Sequence, residues 1–268
     1  MLIKGFMAAA SDSKISASDG ERDMSELDCG KPVRQLADSA DVLSGKSIVA
    51  SILSENWDDL ANDLFPKDRR MSVLTERDVD GMSCENVRFL INELVRRFAP
   101  NGVYLEVGMY RGCSILSAAL FNQGTRCIGI DSFSEFDQDG TNHQVLKANL
   151  AKFGNPSNIE YHNLDYKEAI RCIFAQEPDL KVDVYYYDGE HTYEQQVAGL
   201  EIILPHLSER WAILVDDLNW EHVERANADF LRAHPEFESA FKIGARGCGT
   251  DDWWNGFEAI TRRVPQRP

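Results

Sequence analysis

The fold is decided by the stretch Tyr-Leu-Glu-Val-Gly-Met-Tyr-Arg-Gly-Cys-Ser, residues 104–114. An apolar, strand-like run reaches Glu106, and the chain breaks at Gly108. A second glycine, Gly112, precedes the helical pattern that Ser114 opens. A strand, a glycine turn and a helix N-terminus together form a site where a nucleotide-like cofactor can approach bare backbone. The pattern leaves open whether that cofactor is a dinucleotide.

Strand-like and helix-like segments alternate downstream of this stretch. Such alternation implies right-handed crossovers and a parallel sheet covered on both faces. We therefore expect an α/β fold: a Rossmann-like, doubly wound, mainly parallel seven-stranded sheet with a C-terminal antiparallel hairpin and an N-terminal helical cap. The predicted strands are 103–107, 126–130, 159–162, 182–187, 211–215, 240–243 and 257–264. The predicted helices are 87–98, 114–121, 144–153, 167–174, 193–204 and 221–234.

The chain divides into three predicted regions. Residues 1–45 are expected to be a flexible arm, because from about residue 11 they are rich in Ser, Asp, Gly and Lys without a sustained period. Apolar residues at helical spacing between Ser47 and Leu64 predict a helical cap over residues 46–82. A plain packing helix is the other reading of that segment. Residues 83–268 then form the main domain.

Composition restricts the class of partner. The formal net charge is −16 over 268 residues. Binding to a polyanion needs clustered Lys and Arg, so nucleic acid and anionic membranes are not expected partners, and a small neutral or cationic ligand fits better. No apolar run approaches the roughly 18 residues of a membrane span, and we expect no signal peptide. Six cysteines without paired spacing indicate reduced thiols in a cytoplasmic protein, with Cys113, Cys127 and Cys172 buried.

Acidic residues follow several predicted strands, where ligands collect in a doubly wound sheet. Asp131 ends the second strand, 23 residues after Gly108. A carboxylate at this spacing can accept hydrogen bonds from both hydroxyls of a ribose. An ordinary surface turn is the alternative reading.

A second acidic group follows two other strands that should be buried. Asp188 follows one, and Asp216 and Asp217 follow the other. Three carboxylates at one rim repel one another unless a cation lies between them. Mg²⁺ prefers oxygen ligands, so these three aspartates are candidate metal ligands, with Asn219 and Glu190 in reserve. Helix capping and solvated loop acids are the alternative reading.

His191 lies three residues after Asp188, at the start of the next predicted helix. A neutral imidazole can accept a proton from a hydroxyl whose acidity a metal has increased. His191 is therefore the candidate general base, and a surface histidine at a helix start is the alternative.

Four tryptophan or phenylalanine positions leave two readings open. Trp253 and Trp254 lie in the turn-rich segment between the last two strands, where they could stack on a substrate ring or anchor the hairpin. Trp220 carries the same ambiguity. Phe136, in the loop after Asp131, is either part of a lid or a surface residue.

Together, the motifs resemble those of a known family. Glu-Val-Gly-x-x-x-Gly-x-Ser, Gly-Ile-Asp, Tyr-Tyr-Asp-Gly-Glu-His-Thr-Tyr and Leu-Val-Asp-Asp-Leu-Asn are similar to class I S-adenosylmethionine-dependent methyltransferases, over roughly residues 83–264. The likeness is greatest to metal-dependent small-molecule O-methyltransferases of the macrolide-sugar type. The glycine turn departs from the dinucleotide pattern Gly-x-Gly-x-x-Gly, because Met109 and Tyr110 stand where the middle glycine would be. That departure disfavours a dehydrogenase.

The resemblance implies roles for individual residues. Asp131 would hold the ribose of S-adenosylmethionine, and Asp165 would contact the adenine amine unless it is simply a helix N-cap. In the resembled sugar enzymes the matching acids hold magnesium and the matching histidine is the base. The implied cofactor-binding set is Glu106, Gly108, Gly112, Ser114, Asp131, Asp165 and Asp188. The implied metal set is Asp188, Asp216 and Asp217.

The implied function is methyl transfer from S-adenosylmethionine to a hydroxyl oxygen of a small sugar-like or natural-product metabolite, assisted by Mg²⁺ and His191. Catechol-type relatives carry a lysine and an Asp-Asn pair at the matching positions, so a sugar or aliphatic hydroxyl fits this chain better. Three alternatives remain: a metal-independent N-methyltransferase of the same fold, an NAD-dependent oxidoreductase, and a non-catalytic scaffold that kept the fold. We expect secondary metabolism as the setting, and a homo-oligomer that forms through the N-terminal helical region.

Overall fold

The computed structural model describes residues 44–264. The predicted flexible arm, residues 1–45, lies outside that range except for its last two positions. Helices and strands alternate between residues 85 and 243, as the sequence predicted. The helices are α1 (Gly45–Asn56), α2 (Ser72–Glu76), α3 (Glu85–Phe98), α4 (Cys113–Ala119), α5 (Asn142–Ala151), α6 (Tyr166–Gln176), α7 (Tyr193–Ile203) and α8 (Glu221–Ala233). The strands are β1 (Val103–Val107), β2 (Arg126–Asp131), β3 (Ile159–Asn163), β4 (Val182–Tyr187), β5 (Leu207–Val215), β6 (Phe237–Ile243) and β7 (Phe257–Arg262).

The seven strands form one sheet in the order β3-β2-β1-β4-β5-β7-β6. The first five are parallel to one another, and β7 pairs antiparallel with both β5 and β6. The chain runs outward from β1 to β3 and then returns to place β4 on the other side of β1. This reversal creates a crevice beyond the carboxyl ends of β1 and β4, where such sheets bind ligands. The predicted doubly wound, mainly parallel sheet with a C-terminal antiparallel hairpin is confirmed.

Strand register aligns the polar residues that follow the central strands. Val107 of β1 lies opposite Ile130 of β2 and Tyr187 of β4, and Tyr187 lies opposite Val215 of β5. The next residue of each strand or loop is therefore at the same edge of the sheet: Gly108, Asp131, Asp188 and Asp216.

Helices cover both faces of the sheet. Side chains alternate between the faces along each strand, so Tyr104 and Tyr186 pack with residues of α3 and α4, whereas Leu105 and Tyr185 pack with residues of α6, α7 and α8. Near-continuous burial of β1 and β4 is what a parallel sheet covered on both sides requires. A buried polar group joins the two helices of one face: the Asn92 amide of α3 donates to the carbonyl oxygens of Ser117 and Leu120 at the end of α4, both at 2.7 Å.

The N-terminal helix ends earlier than its apolar pattern predicted. The sequence predicts a helix through Leu64, but α1 ends at Asn56, and Trp57 takes an extended conformation. Two interactions favour this ending. The Asp63 carboxylate accepts hydrogen bonds from the backbone N–H groups of Asp58 and Asp59, which competes with helical hydrogen bonding. The buried Trp57 indole donates to Asn86 of α3 at 3.0 Å. The helical spacing of apolar residues therefore continued past the end of α1, because apolar residues that follow it pack in tertiary contacts.

The segment between β6 and β7 is anchored to this N-terminal region. Trp253 is 1% exposed and donates from its indole to the carbonyl oxygen of Leu60. The amide of Asn86 donates to the carbonyl oxygen of Asp252 at 2.8 Å. Of the two readings for Trp253, the structure therefore supports the hairpin anchor.

The described cysteines agree with the sequence-based prediction except at Cys172. All five described cysteines are unpaired; Cys113 and Cys127 are buried as expected, but Cys172 is exposed on α6, contrary to the prediction. Between residues 44 and 264, no helix combines the length and apolar character that crossing a membrane demands.

Candidate active site

A cavity of about 390 Å³ opens at the carboxyl ends of β1, β2, β4 and β5. Its size falls within the usual range of small-molecule sites. Seven of the predicted site residues line it: Gly108, Asp131, Asp165, Asp188, His191, Asp216 and Asp217. Three do not, and these are Glu106, Gly112 and Ser114.

Gly108 allows the ends of β1 and β4 to come together. Its φ is +87°, and a Cβ atom at this position would lie 1.8 Å from the backbone oxygen of Asp188. The Gly108 N–H donates to Ile130 of β2, while the Asp188 N–H donates to Val107 of β1. The glycine is therefore required by both its backbone angle and the close approach of the next strand.

Gly112 and Ser114 support the turn from the side away from the cavity. Gly112 is the N-cap of α4 with φ +86°, and a Cβ there would lie 2.5 Å from a methyl group of Leu146. Ser114 donates from its hydroxyl to the Glu106 carboxylate at 3.0 Å.

Glu106 is fully buried. It shares a face with Tyr104, because residues two apart on a strand point the same way. The Tyr104 hydroxyl donates to one carboxylate oxygen, and Ser114 donates to the other. Burial raises the pKa of Glu106 to about 8. Alternation along β1 thus directs this carboxylate into the layer of α3 and α4, whereas the sequence-based reading had placed it against the cofactor.

Asp131 and Asp165 both face the cavity while they organise nearby backbone. The two Asp131 oxygens accept hydrogen bonds from the N–H groups of Tyr110 and Phe133, at 2.7 and 2.6 Å. Asp165 is the N-cap of α6 and accepts from Lys167 and Glu168 through a single oxygen. The alternative reading of Asp165 as a helix cap therefore applies. Since each carboxylate oxygen has two lone pairs, both residues keep acceptor capacity toward the cavity.

A close cluster of three side chains lies at the ends of β4 and β5. Asp188, His191 and Asp217 each offer a ligand atom within 4.8 Å of the others. The Nε2 atom of His191 is 2.8 Å from Asp217 Oδ2 and 3.5 Å from Asp188 Oδ1. The sequence had predicted Asp216 as the third carboxylate of a metal triad. In the structure, His191 occupies that place in the cluster.

Asp216 is directed toward the protein interior. It is 2% exposed and accepts hydrogen bonds from the Tyr186 hydroxyl at 2.8 Å and from the Asp217 N–H at 2.9 Å. Asp217 has a φ of +57°, a left-handed conformation that is uncommon outside glycine. This backbone conformation sends the two successive carboxylates in different directions.

Asn255 holds Asp217 in place from the segment between β6 and β7. Its amide donates to Asp217 Oδ1 at 2.5 Å, and its backbone oxygen accepts from the Asn219 N–H at 2.7 Å. Asn219, a reserve ligand in the sequence-based reading, instead exchanges two 3.0 Å hydrogen bonds with the backbone of Ala245. Glu190, the other reserve residue, lines the cavity but lies outside the three-residue cluster.

The negative charges of the cluster and their burial favour bound protons or a cation. Burial raises the pKa of Asp188 to about 6, and burial together with the neighbouring Asp188 and Asp217 raises that of Asp216 well above its usual value. Burial alone would lower the pKa of His191, but its interactions with Asp188 and Asp217 prevail and raise it to about 10. With only these neighbours, the imidazole is protonated at neutral pH and cannot act as a base.

The donor set fits a divalent cation. The carboxylates of Asp188 and Asp217 converge beside His191, which suits an oxygen-preferring cation such as Mg²⁺ or Mn²⁺. His191 Nε2 is buried, and although it is close to Asp217 it makes no hydrogen bond of acceptable angle.

Comparisons with known proteins agree with this geometry. Residues 105–218 match the family model described as a methyltransferase domain, and this range contains the glycine turn and all three residues of the cluster. This part of the chain is therefore similar to a methyltransferase domain. No protein with a curated function matches its sequence.

Solved structures with a similar fold include two O-methyltransferases. An O-methyltransferase from Bacillus cereus, solved with S-adenosylhomocysteine, is 14% identical with a TM-score of 0.55, and the match covers 80% of this chain and 100% of that one. TomG, an O-methyltransferase of tomaymycin synthesis from Streptomyces achromogenes solved with S-adenosylmethionine, is 14% identical with a TM-score of 0.53 over 81% and 96% of the two chains. The predicted resemblance to class I methyltransferases is confirmed.

Three residues of the candidate site escaped the sequence-based reading. Asn255 is 38 residues from the aspartate that it holds, and no local pattern links them. Tyr186 belongs to an apolar strand, and its hydroxyl reaches Asp216 only because β4 and β5 pair in that register. Met82 lines the cavity from the segment before α3. Of the aromatic residues left open, Trp220, Trp254 and Phe136 line the cavity.

Proposed function

We propose that this protein transfers a methyl group from S-adenosylmethionine to a hydroxyl oxygen of a small sugar-like or natural-product metabolite. The observation that carries the proposal is the cluster of Asp188, His191 and Asp217 on the wall of a cavity that Asp131 also lines. One cavity would thus join a carboxylate for the cofactor's ribose to the groups proposed to hold a cation and to accept a proton.

The cofactor is proposed to lie across the carboxyl ends of β1, β2 and β3. Asp131 would accept hydrogen bonds from the ribose hydroxyls, and Asp165 from the adenine amine. Gly108 leaves backbone exposed where the methionine part would pass. Carboxylates are abundant in the cavity wall, which suits the positive sulfonium of S-adenosylmethionine and favours release of its neutral product.

Asp188 and Asp217 are proposed to hold a divalent cation, with Asp216 directly behind them. Their convergence, and the buried Nε2 of His191 beside them, supports this choice. When bound, the cation would lower the pKa of an acceptor hydroxyl. Mg²⁺ is the proposed ion because carboxylate oxygen dominates the donor set.

His191 is proposed as the general base. Asp188 and Asp217 are the groups that raise its pKa to about 10. A cation held by these two carboxylates would offset their charge and lower the pKa of His191, and the imidazole would then accept a proton near neutral pH. The protein otherwise contributes position and exclusion of water, because S-adenosylmethionine is already a reactive methyl donor.

The regional organisation is part of the proposal. Residues 46–82 would form a helical region that carries α1 and α2, residues 83–268 the catalytic domain, and the N-terminal helical region a contact between copies in a cytoplasmic homo-oligomer. Light scattering on the purified protein, with and without residues 1–82, measures that last point.

The test is methyl transfer from methyl-labelled S-adenosylmethionine into a metabolite extract, with and without EDTA. Label in an O-methyl product that EDTA abolishes supports the proposal. Transfer that EDTA leaves unchanged, or label found on nitrogen, contradicts the metal-assisted O-methyl mechanism and favours an N-methyltransferase. A matched reaction with Asp131→Ala protein is expected to lose transfer through weakened cofactor binding.

A further inference from the structure

A second groove adjoins the cavity on the side of His191. It measures about 400 Å³, and it shares His191, Trp220, Phe136 and two glutamates with the cavity. Thr192 and His222 line the groove but not the cavity, so the groove extends beyond the cavity along the starts of α7 and α8. A molecule in the groove would therefore reach the proposed base from outside.

Aromatic rings form much of the groove's apolar surface. Phe136 is 66% exposed, which is unusual for so large an apolar side chain. The Trp220 ring lies edge-on to His191, with ring centroids 4.9 Å apart, and 5.6 Å from the ring of His222. The loop that carries Phe136 is held by its own hydrogen bonds, among them one from the Asn142 amide to the Phe136 carbonyl oxygen at 3.1 Å.

Glu135 and Glu190 place two negative charges beside these rings. Within residues 44–264, no cationic side chain forms an ion pair with either of them. The cavity's lysine, Lys167, donates instead to Gln195 at 2.8 Å. The groove thus combines aromatic faces with uncompensated carboxylates.

The effect of binding on Glu135 and Glu190 indicates which charge a molecule bound in the groove should carry. A bound molecule would displace water from the carboxylates, and a neutral one would leave them partly desolvated and unpaired, which is unfavourable. An anionic one would add repulsion. A cation would pair with the carboxylates and also interact with the aromatic faces.

We propose that this groove binds the methyl acceptor, and that the acceptor carries a protonated amine close to the hydroxyl that is methylated. The proposal rests on the proposed function, since it places the reacting hydroxyl at His191. It adds the substrate class: hydroxylated amines, of which amino sugars are one kind.

The test compares three sugars that differ in charge: D-glucosamine, D-glucose and D-glucuronate. A second series with the same charges is dopamine, hydroxytyrosol and 3,4-dihydroxyphenylacetate. Binding to the full chain with S-adenosylhomocysteine and Mg²⁺ is measured by saturation-transfer NMR, so that the readout does not depend on turnover. We expect at least one amine to bind about 10-fold more tightly than its neutral partner, as for one charge-assisted contact, and the acids to bind most weakly.

Substitutions of the two glutamates test whether the preference for amines arises in the groove. The double substitution Glu135→Gln, Glu190→Gln is expected to reduce amine affinity about 10-fold and to bring it to the level of the neutral partner. The control, Glu194→Gln with Glu209→Gln, removes two exposed charges outside the groove and is expected to leave the amine preference in place.

Three results would contradict the assignment of the groove to the methyl acceptor. If neutral molecules bind as well as amines, if no amine binds, or if the control variant loses the preference equally, the assignment of the groove is overturned. Calorimetry with S-adenosylhomocysteine separates this from the proposed function. Normal binding of that ligand without amine preference refutes the groove alone, whereas absence of binding refutes the proposed function as well.

Discussion

The Asn255→Ala substitution tests whether Asp217 belongs to a cation site. Asn255 donates to Asp217 Oδ1 at 2.5 Å, and its side-chain oxygen accepts from the Gly249 N–H at 2.7 Å. Alanine removes both hydrogen bonds, while the backbone contact from Asn255 to Asn219 stays. Loss of a partner that orients a metal ligand typically weakens metal binding about 10–100-fold. A single hydrogen bond to a charged group is worth a similar factor.

The assay is titration of the protein with Mn²⁺, followed by the loss of the free-ion EPR signal. The matched control is Asn62→Ala, which removes an amide-to-aspartate hydrogen bond of 2.8 Å, from Asn62 to Asp59, at an exposed site. We expect Mn²⁺ affinity to fall about 10–100-fold in Asn255→Ala and to stay unchanged in the control. Unaltered affinity in Asn255→Ala, in protein that still melts cooperatively and binds S-adenosylhomocysteine, would show that Asp217 is not a cation ligand positioned by Asn255.

Three further substitutions test other parts of the site. His191→Ala should reduce kcat by about 100-fold or more if the imidazole is the base, while Mn²⁺ affinity changes far less; an equal loss of both would make His191 a ligand instead. Glu106→Gln tests how protonation of this carboxyl affects stability. Burial raises the pKa of Glu106 in the folded protein to about 8 from 4.5, so the wild-type protein loses stability as the pH rises between these two values. The unfolding free energy of wild type relative to Glu106→Gln should thus fall by on the order of 5 kcal/mol between those pH values, and parallel urea-denaturation profiles would contradict this. Gly108→Ala should destabilise by more than the roughly 1–2 kcal/mol of left-handed strain, since it also meets the Asp188 backbone. The control Gly140→Ala has φ +65° and open space, so equal losses in the two variants would show that the contact does not matter.

The central strands could be predicted to the residue. β1 and β4 are apolar runs bounded by turn residues, and their observed limits, Val103–Val107 and Val182–Tyr187, equal the predicted ones. A parallel sheet buried on both faces produces this pattern directly. The cavity position followed as well, since the strand order places the ends of β1 and β4 together.

Side-chain direction was the part that the sequence could not supply. The spacing of Glu106 from Gly108 is visible in the sequence, but only the pairing of β1 with its covering helices shows that the carboxylate is buried. Asp216 and Asp217 are adjacent in sequence, and a left-handed backbone at Asp217 separates their directions.

Non-local contacts account for the other differences. The apolar pattern of α1 continued through Leu64 because Trp57 and Leu60 contact α3 and Trp253 instead of forming helix. A hydrophobic period reports burial, and burial by tertiary packing cannot be separated from burial on a helix face by spacing alone.

Calorimetric titration of the purified chain with S-adenosylmethionine and, separately, with NAD distinguishes the proposed cofactor from the alternative one. We expect saturable binding of S-adenosylmethionine at one site per chain, lost in Asp131→Ala, and no binding of NAD. Saturable binding of NAD, with no heat from S-adenosylmethionine, would contradict this expectation.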